Sequence, residues 1–119
     1  LYKGETEIIN PQIASKENVD SVQLALTKVV SEGLGKPAAS GKVQVAGAAG
    51  TSQISIEDDD SDKFLEYSVE FCGFFPADRP KYSIIVSMNK MGLPASGGLM
   101  AGTVFSEIVD YMVEKEIIK

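Results

Sequence analysis

The sequence contains no histidine and only one cysteine, Cys72. Without histidine there is no Ser-His-Asp or Cys-His mechanism, and the usual zinc sites are excluded as well. A single cysteine cannot close an intrachain disulfide, so the redox compartment stays open. Basic residues are few: 11 Lys and Arg stand against 17 Asp and Glu, a formal net charge of -6 at pH 7. Phosphate binding needs clustered Lys and Arg, so no nucleic-acid partner is expected. No apolar run is long enough to span a bilayer, and no signal peptide is present. On its own the chain is expected to be soluble. It begins at Leu1 rather than Met, as a mature product or an excised segment would, so the missing signal says nothing about the parent gene.

What is present fits one domain of 119 residues. Hydrophobic residues make up 44% and charged residues 24%, a balance that folds rather than stays disordered. Residues 1–15 read as a lead-in, broken at Asn10-Pro11. Ser15 is placed to cap a helix over 16–32, whose apolar stripe is Val19, Val22, Leu26, Val29 and Val30. Gly33 and Gly35 follow at its C-terminus. Strands are expected over 42–56, 64–75 and 82–89. The first alternates at Val43 and Val45 and again at Ile54 and Ile56. Its glycine-rich middle marks a bulge or a close approach by another group. The second puts Leu65, Tyr67, Val69 and Phe71 on one face, and the third does so with Tyr82, Ile84, Val86 and Met88. Ile85 on the other side implies that this face is partly covered. A loop over 91–98 leads to a helix over 99–115, with Ala101, Val104, Phe105, Ile108, Met112 and Val113 as its stripe. The fold class is α+β: a three-stranded antiparallel sheet flanked by two helices.

Several features invite a chemical reading and resist it. Asp58, Asp59, Asp60 and Asp62 begin with the spacing of an EF-hand loop. Lys63 stands where that loop needs glycine, and the bidentate glutamate is absent, so a solvated hairpin tip is the better account. Cys72 has no histidine to activate it and reads as a half-buried bystander. The stretch from Gly47 to Gly50 lacks the Lys-Ser/Thr pair of a phosphate cradle. Met88 and Met112 fall on apolar faces and read as packing. No cofactor and no metal site is expected.

Three stretches resemble one known family in order and spacing. Val45-Ala46-Gly47-Ala48-Ala49-Gly50-Thr51-Ser52-Gln53 resembles the strand that carries the Lys-Thr-Gly box of penicillin-binding proteins. Gly73-Phe74-Phe75-Pro76-Ala77-Asp78-Arg79-Pro80-Lys81-Tyr82 resembles the next hairpin of the class B group, the division and elongation transpeptidases. Gly97-Gly98, Ala101-Gly102 and Phe105 resemble the start of their last helix. The similarity runs from about Asn10 to Tyr111.

The resemblance implies the C-terminal part of a penicillin-binding transpeptidase domain, with the serine β-lactamase-like fold, so residues 1–119 are read as one partial domain. The family's activity is D,D-transpeptidation of peptidoglycan, with acylation by β-lactams. Its parent proteins are anchored in the inner membrane with this domain outside the membrane. The family's chemistry uses a Ser-x-x-Lys box, a Ser-x-Asn box and Lys-Thr-Gly. The first two belong to the part of the domain preceding this segment, and this chain is expected to lack them. The third departs from the pattern: Ala48 stands for the lysine and Ala49 for the threonine, while Gly50 and Thr51 remain. Charged hydrogen bonds to a ligand carboxylate are worth about 1.5–3 kcal/mol each, so losing both weakens docking by orders of magnitude. The resemblance also places the Thr51 N–H at half of the oxyanion hole. Met91 and Thr103 occupy positions where class B proteins often carry proline. The expectation is a chain with no catalytic residue and a degenerate substrate strand, Ala48, Ala49, Gly50 and Thr51. Expected partners are the N-terminal part of the domain, or a second copy through open sheet edges. A peptidoglycan peptide or β-lactam would bind at most weakly. The alternatives are a stand-alone interaction module and a weak noncovalent binder of cell-wall peptides.

Overall fold

The computed structural model describes residues 4–56 and 64–115. Helix α1 spans Lys16–Ser31. The Ser15 hydroxyl caps it, accepting from the Asn18 N–H at 3.2 Å, which satisfies one of the donors left open at a helix start. Glu17 sits in the first turn and Lys28 in the last, both complementing the helix dipole. Its end is closed by Gly35 N–H to the Val29 carbonyl at 3.0 Å. A 3₁₀ turn at Lys36–Ala38 follows.

Strands β1 (Ala46–Ile56), β2 (Phe64–Phe75) and β3 (Tyr82–Met91) form an antiparallel sheet in the order β1-β2-β3. The register between β1 and β2 is continuous, from Ala46 opposite Phe74 to Ile56 opposite Phe64, with no bulge at the glycines. A π-helical turn at Gly97–Ala101 runs directly into helix α2, Gly102–Glu114. The Asp58–Asp62 stretch lies outside the described residues.

Several boundaries differ from the sequence expectation. β1 starts at Ala46 rather than at residue 42. Its partner ends at Phe75, and Pro76 has no N–H for the ladder. The Gln44 carbonyl accepts instead from Ala77 N–H at 2.9 Å, which ties the approach to β1 onto the turn after β2. β3 continues through Met91, opposite Glu66. It stops at Gly92, whose φ of 72° favours glycine, and the Gly92 N–H donates to the Leu65 carbonyl at 2.8 Å. The α-helical part of the last element begins at Gly102 rather than at residue 99.

The core lies between α2 and one face of the sheet. Phe71, Phe75, Phe105, Val109, Ala101, Val45, Ala38 and Val30 form it. Phe71 and Phe75 are same-face residues of β2, and both rings meet Phe105 edge to face, at 4.8 and 6.1 Å between centroids. Beside them Gly47 faces Gly73 across the strands. A Cβ on Gly73 would come within 2.8 Å of the Phe105 ring, so the small pair makes room for the aromatics. Tyr82, Ile84, Val86 and Met88 pack against the cluster from β3. Ala101 is buried at the end of the π turn and Gly102, Phe105 and Val109 on α2, whereas Val104 is 37% exposed. The stripe keeps Ala101, Phe105, Met112 and Val113 against the core, gains Val109 and loses Val104. Ser40 donates to the Asp110 carboxylate, and Lys42 pairs with Glu114, fastening the loop before β1 to α2.

The opposite face of the sheet is open except at its Ala46–Phe74 end, against which α1 lies. Ile85 is 63% exposed and Cys72 is exposed beside it, so the expected partial cover over Ile85 and the half-burial of Cys72 are both corrected. The first half of α1 is likewise uncovered, with Val22 57% exposed. Phe74 and α1 enclose an apolar groove of about 260 Å³, lined also by Ile13, Ala14, Val19 and Leu26.

Candidate functional site

β1 is an edge strand. It pairs with β2 on one side, and no described strand occupies its other side. Ala48, Ala49, Gly50 and Thr51 all lie on this strand and are all exposed. Directly opposed residues of an antiparallel pair share a face. Ala48 opposes Cys72 and Gly50 opposes Glu70, so these four line the open face. Ala49 opposes Phe71 and Thr51 opposes Val69, so their side chains lie on the α2 face.

Thr51 is held from behind. Its Oγ1 accepts from the Gly97 N–H at 3.0 Å. The π turn is itself capped by Ser96, whose hydroxyl accepts from Leu99 N–H at 3.1 Å. Gly97 lies so close to the strand that a Cβ there would fall 2.2 Å from the Gly50 carbonyl oxygen and 2.5 Å from that of Glu70. This glycine is dictated by the approach of one backbone to another.

Among the described residues, Glu70 is the carboxylate directly opposite Gly50 on the open face. Ser68 donates to its Oε1 at 3.1 Å and Ser87 at 3.4 Å. An ion docking along β1 at Gly50 thus meets a negative charge, with only the Ala48 methyl where the resemblance implies a lysine. Among the described residues no three His, Cys, Asp or Glu side chains gather to hold a metal ion.

The letters Ser-x-x-Lys and Ser-x-Asn do occur, once, in Ser87-Met88-Asn89-Lys90, which corrects the expectation that the chain lacks them. They fall on β3. A helix brings residues three apart onto one face, whereas a strand sends them to opposite faces about 10 Å apart along its axis. Ser87 donates to Glu70 instead of facing Lys90. The tetrapeptide has the spelling of the family's nucleophile box without its geometry.

The family model of the penicillin binding protein transpeptidase domain matches residues 3–110. The chain belongs to this family. Among solved structures, the transpeptidase domain of the D,D-transpeptidase FtsI4 of Legionella pneumophila is 30% identical, with a TM-score of 0.66, over 83% of this chain. A protein described as a peptidoglycan glycosyltransferase from Atopobium parvulum superposes at a TM-score of 0.68 with 24% identity, over 86% of this chain. The D,D-transpeptidase domain of a peptidoglycan glycosyltransferase from Eggerthella lenta superposes at 0.57 with 21% identity, over 87% of this chain. The latter two show the fold alone. This transpeptidase-family chain spans 36%, 24% and 22% of those three chains respectively. No curated protein matches its sequence. None of its described helices is long and apolar enough to cross a membrane.

Sequence reasoning found the strand but missed two of its neighbours. The Gly97-Gly98 pair was visible as a helix-start resemblance, and its contact with Thr51 was not. The place of Glu70 opposite Gly50 depends on register, which the sequence alone does not carry.

Proposed function

We propose that this chain contributes the substrate strand of a penicillin-binding transpeptidase domain involved in cell-wall synthesis, and that by itself it does not catalyse transpeptidation. The observation that carries the reading is the exposed, unpaired edge of β1 bearing Ala48, Ala49, Gly50 and Thr51. An extended peptide lies along such an edge by adding a strand, with main-chain hydrogen bonds supplying affinity. Gly50 leaves the backbone accessible, and nothing lies within 4 Å of where its Cβ would be. Ser87 and Lys90 lie on opposite faces of β3, and a methyl, Ala48, stands where the resemblance implies a lysine for the ligand carboxylate. Recognition along β1 is therefore weak and noncovalent. The parent protein would work outside the inner membrane, as in the family.

The partner that completes the site is the N-terminal part of the domain. The open face with its apolar groove at Phe74, Val19 and Val22 supports this reading. A second reading is an interaction module that captures a partner strand. It is favoured by the sheet order, which leaves β1 and β3 both at edges.

The test is an amide NMR titration with an N-acetylated D-Ala-D-Ala peptide. Shifts confined to residues 47–53, saturating only at high peptide concentration, are expected. A spectrum that stays unchanged at the highest peptide concentration removes recognition from the proposal and favours the interaction module.

A further inference from the structure

Resting on the reading of β1 as the ligand strand, we infer that Gly97 is a positioning residue: its backbone, bonded to Thr51, fixes the pitch of the exposed β1 edge at Gly50 and Thr51. Three observations converge. The Gly97 N–H donates to Thr51 Oγ1 at 3.0 Å. The missing Cβ of Gly97 lets its backbone lie against both strands of one rung of the β1–β2 ladder, at the carbonyls of Gly50 and Glu70. Gly98 is equally confined from the other side, since a Cβ there would be 2.3 Å from the Leu34 carbonyl oxygen and 3.8 Å from the Ala49 Cβ. The π turn is thus wedged between the segment after α1 and the back of β1.

The physical consequence follows from the strand's situation. An edge strand is held by ladder bonds on one side only, and small residues give it little side-chain packing. Residues 46–50 are three alanines and two glycines. Such a strand frays locally unless something pins it. The single hydrogen bond from Gly97 reaches it at Thr51, next to the glycine that a ligand must approach. Strand addition needs the outward N–H and C=O groups at a fixed spacing. The π turn holds that spacing, while α2 and the aromatic core hold the turn.

The test uses Gly97→Ala and Thr51→Val, with Thr51→Ser as the conservative rescue, all in the full chain. Hydrogen exchange is followed at the β2-directed amides of residues 47–53 and at the β2–β3 ladder around Phe71 and Val86. Exchange faster by roughly five- to tenfold is expected on β1 alone in the first two variants, a local opening worth about one hydrogen bond. Thr51→Ser is expected to restore the wild-type rate. Equal acceleration across both ladders would mean that Gly97 serves general stability, and unchanged β1 exchange in Thr51→Val would mean that the bond pins nothing. Either result overturns the inference. If Gly97→Ala does not fold, the two Thr51 variants decide. Titration with N-acetylated D-Ala-D-Ala is run in parallel: loss of the β1 shifts in Gly97→Ala, which leaves every β1 side chain intact, is expected. A wild-type chain that shows no shifts sinks ligand recognition, while the exchange rates still decide the positioning role.

Discussion

The Phe71 and Phe105 rings meet edge to face, with centroids 4.8 Å apart and planes at 63°. This contact joins the middle of the central strand to the first turns of α2. It also lies behind the Gly47–Gly73 rung of the ladder. The fold that presents β1 depends on it. Phe105 is fully buried, so Phe105→Ala is expected to cost about 3–5 kcal/mol. Urea unfolding followed by circular dichroism checks this, and a loss under 1 kcal/mol would contradict the assigned core.

Gly73→Ala tests the same region from the opposite direction. The added methyl would meet the Ala46 carbonyl at 2.8 Å and the rings of Phe105 and Phe71 at 2.8 and 2.9 Å. Overpacking of this kind costs about 1–3 kcal/mol. In a Phe105→Leu background the penalty is expected to shrink, because a narrower side chain yields. A double-mutant cycle reads that coupling, and strict additivity would show that the clash lies elsewhere.

The electrostatics of the β1 edge give a second pair of predictions. Ala48→Lys supplies a cation on the open face for a ligand carboxylate, and tighter binding of N-acetylated D-Ala-D-Ala is expected. Glu70 keeps a negative charge on the same face, so adding Glu70→Gln should tighten binding further, by several-fold at low salt and less at high salt. Isothermal titration at two ionic strengths measures both. A Glu70→Gln effect that ignores salt would rule out the charge account.

The open face predicts association. Val22 and Ile85 are exposed and apolar on the uncovered side, and large apolar patches drive self-contact. Val22→Asp is expected to lower the mass seen by light scattering at high concentration. Its effect on unfolding should stay within about 0.5 kcal/mol, as for other surface positions. A monomeric wild type at high concentration would count against association through this face.

Much of this architecture was legible in the sequence, and the failures share a cause. Tyr67, Val69 and Phe71 alternate with polar residues over a long run, and β2 matches its expected bounds. Ser15 capped α1 as its residue type dictates. Val43 and Val45 alternate just as well, yet they precede the strand, because Gln44 spends its carbonyl on Ala77. Alternation reports side-chain direction, not the presence of a partner. Val109 lies one turn beyond Phe105 on the same face of α2, so the expected stripe was drawn too narrow there. At the site, Ala48 to Thr51 lie together on the edge strand β1. The neighbours that shape this edge, Glu70 and Gly97, come from distant positions and become visible only through register and close approach. Ser87–Lys90 is the converse: its letters fit a catalytic box, and the strand beneath them separates the two side chains.

The most direct test of the central claim is the intact mass of the chain after prolonged incubation with benzylpenicillin. The account predicts an unchanged mass, because the Ser87-x-x-Lys90 letters lie on a strand that turns the two side chains to opposite faces. A gain of one drug mass, mapped to Ser87 or any other serine, would contradict it.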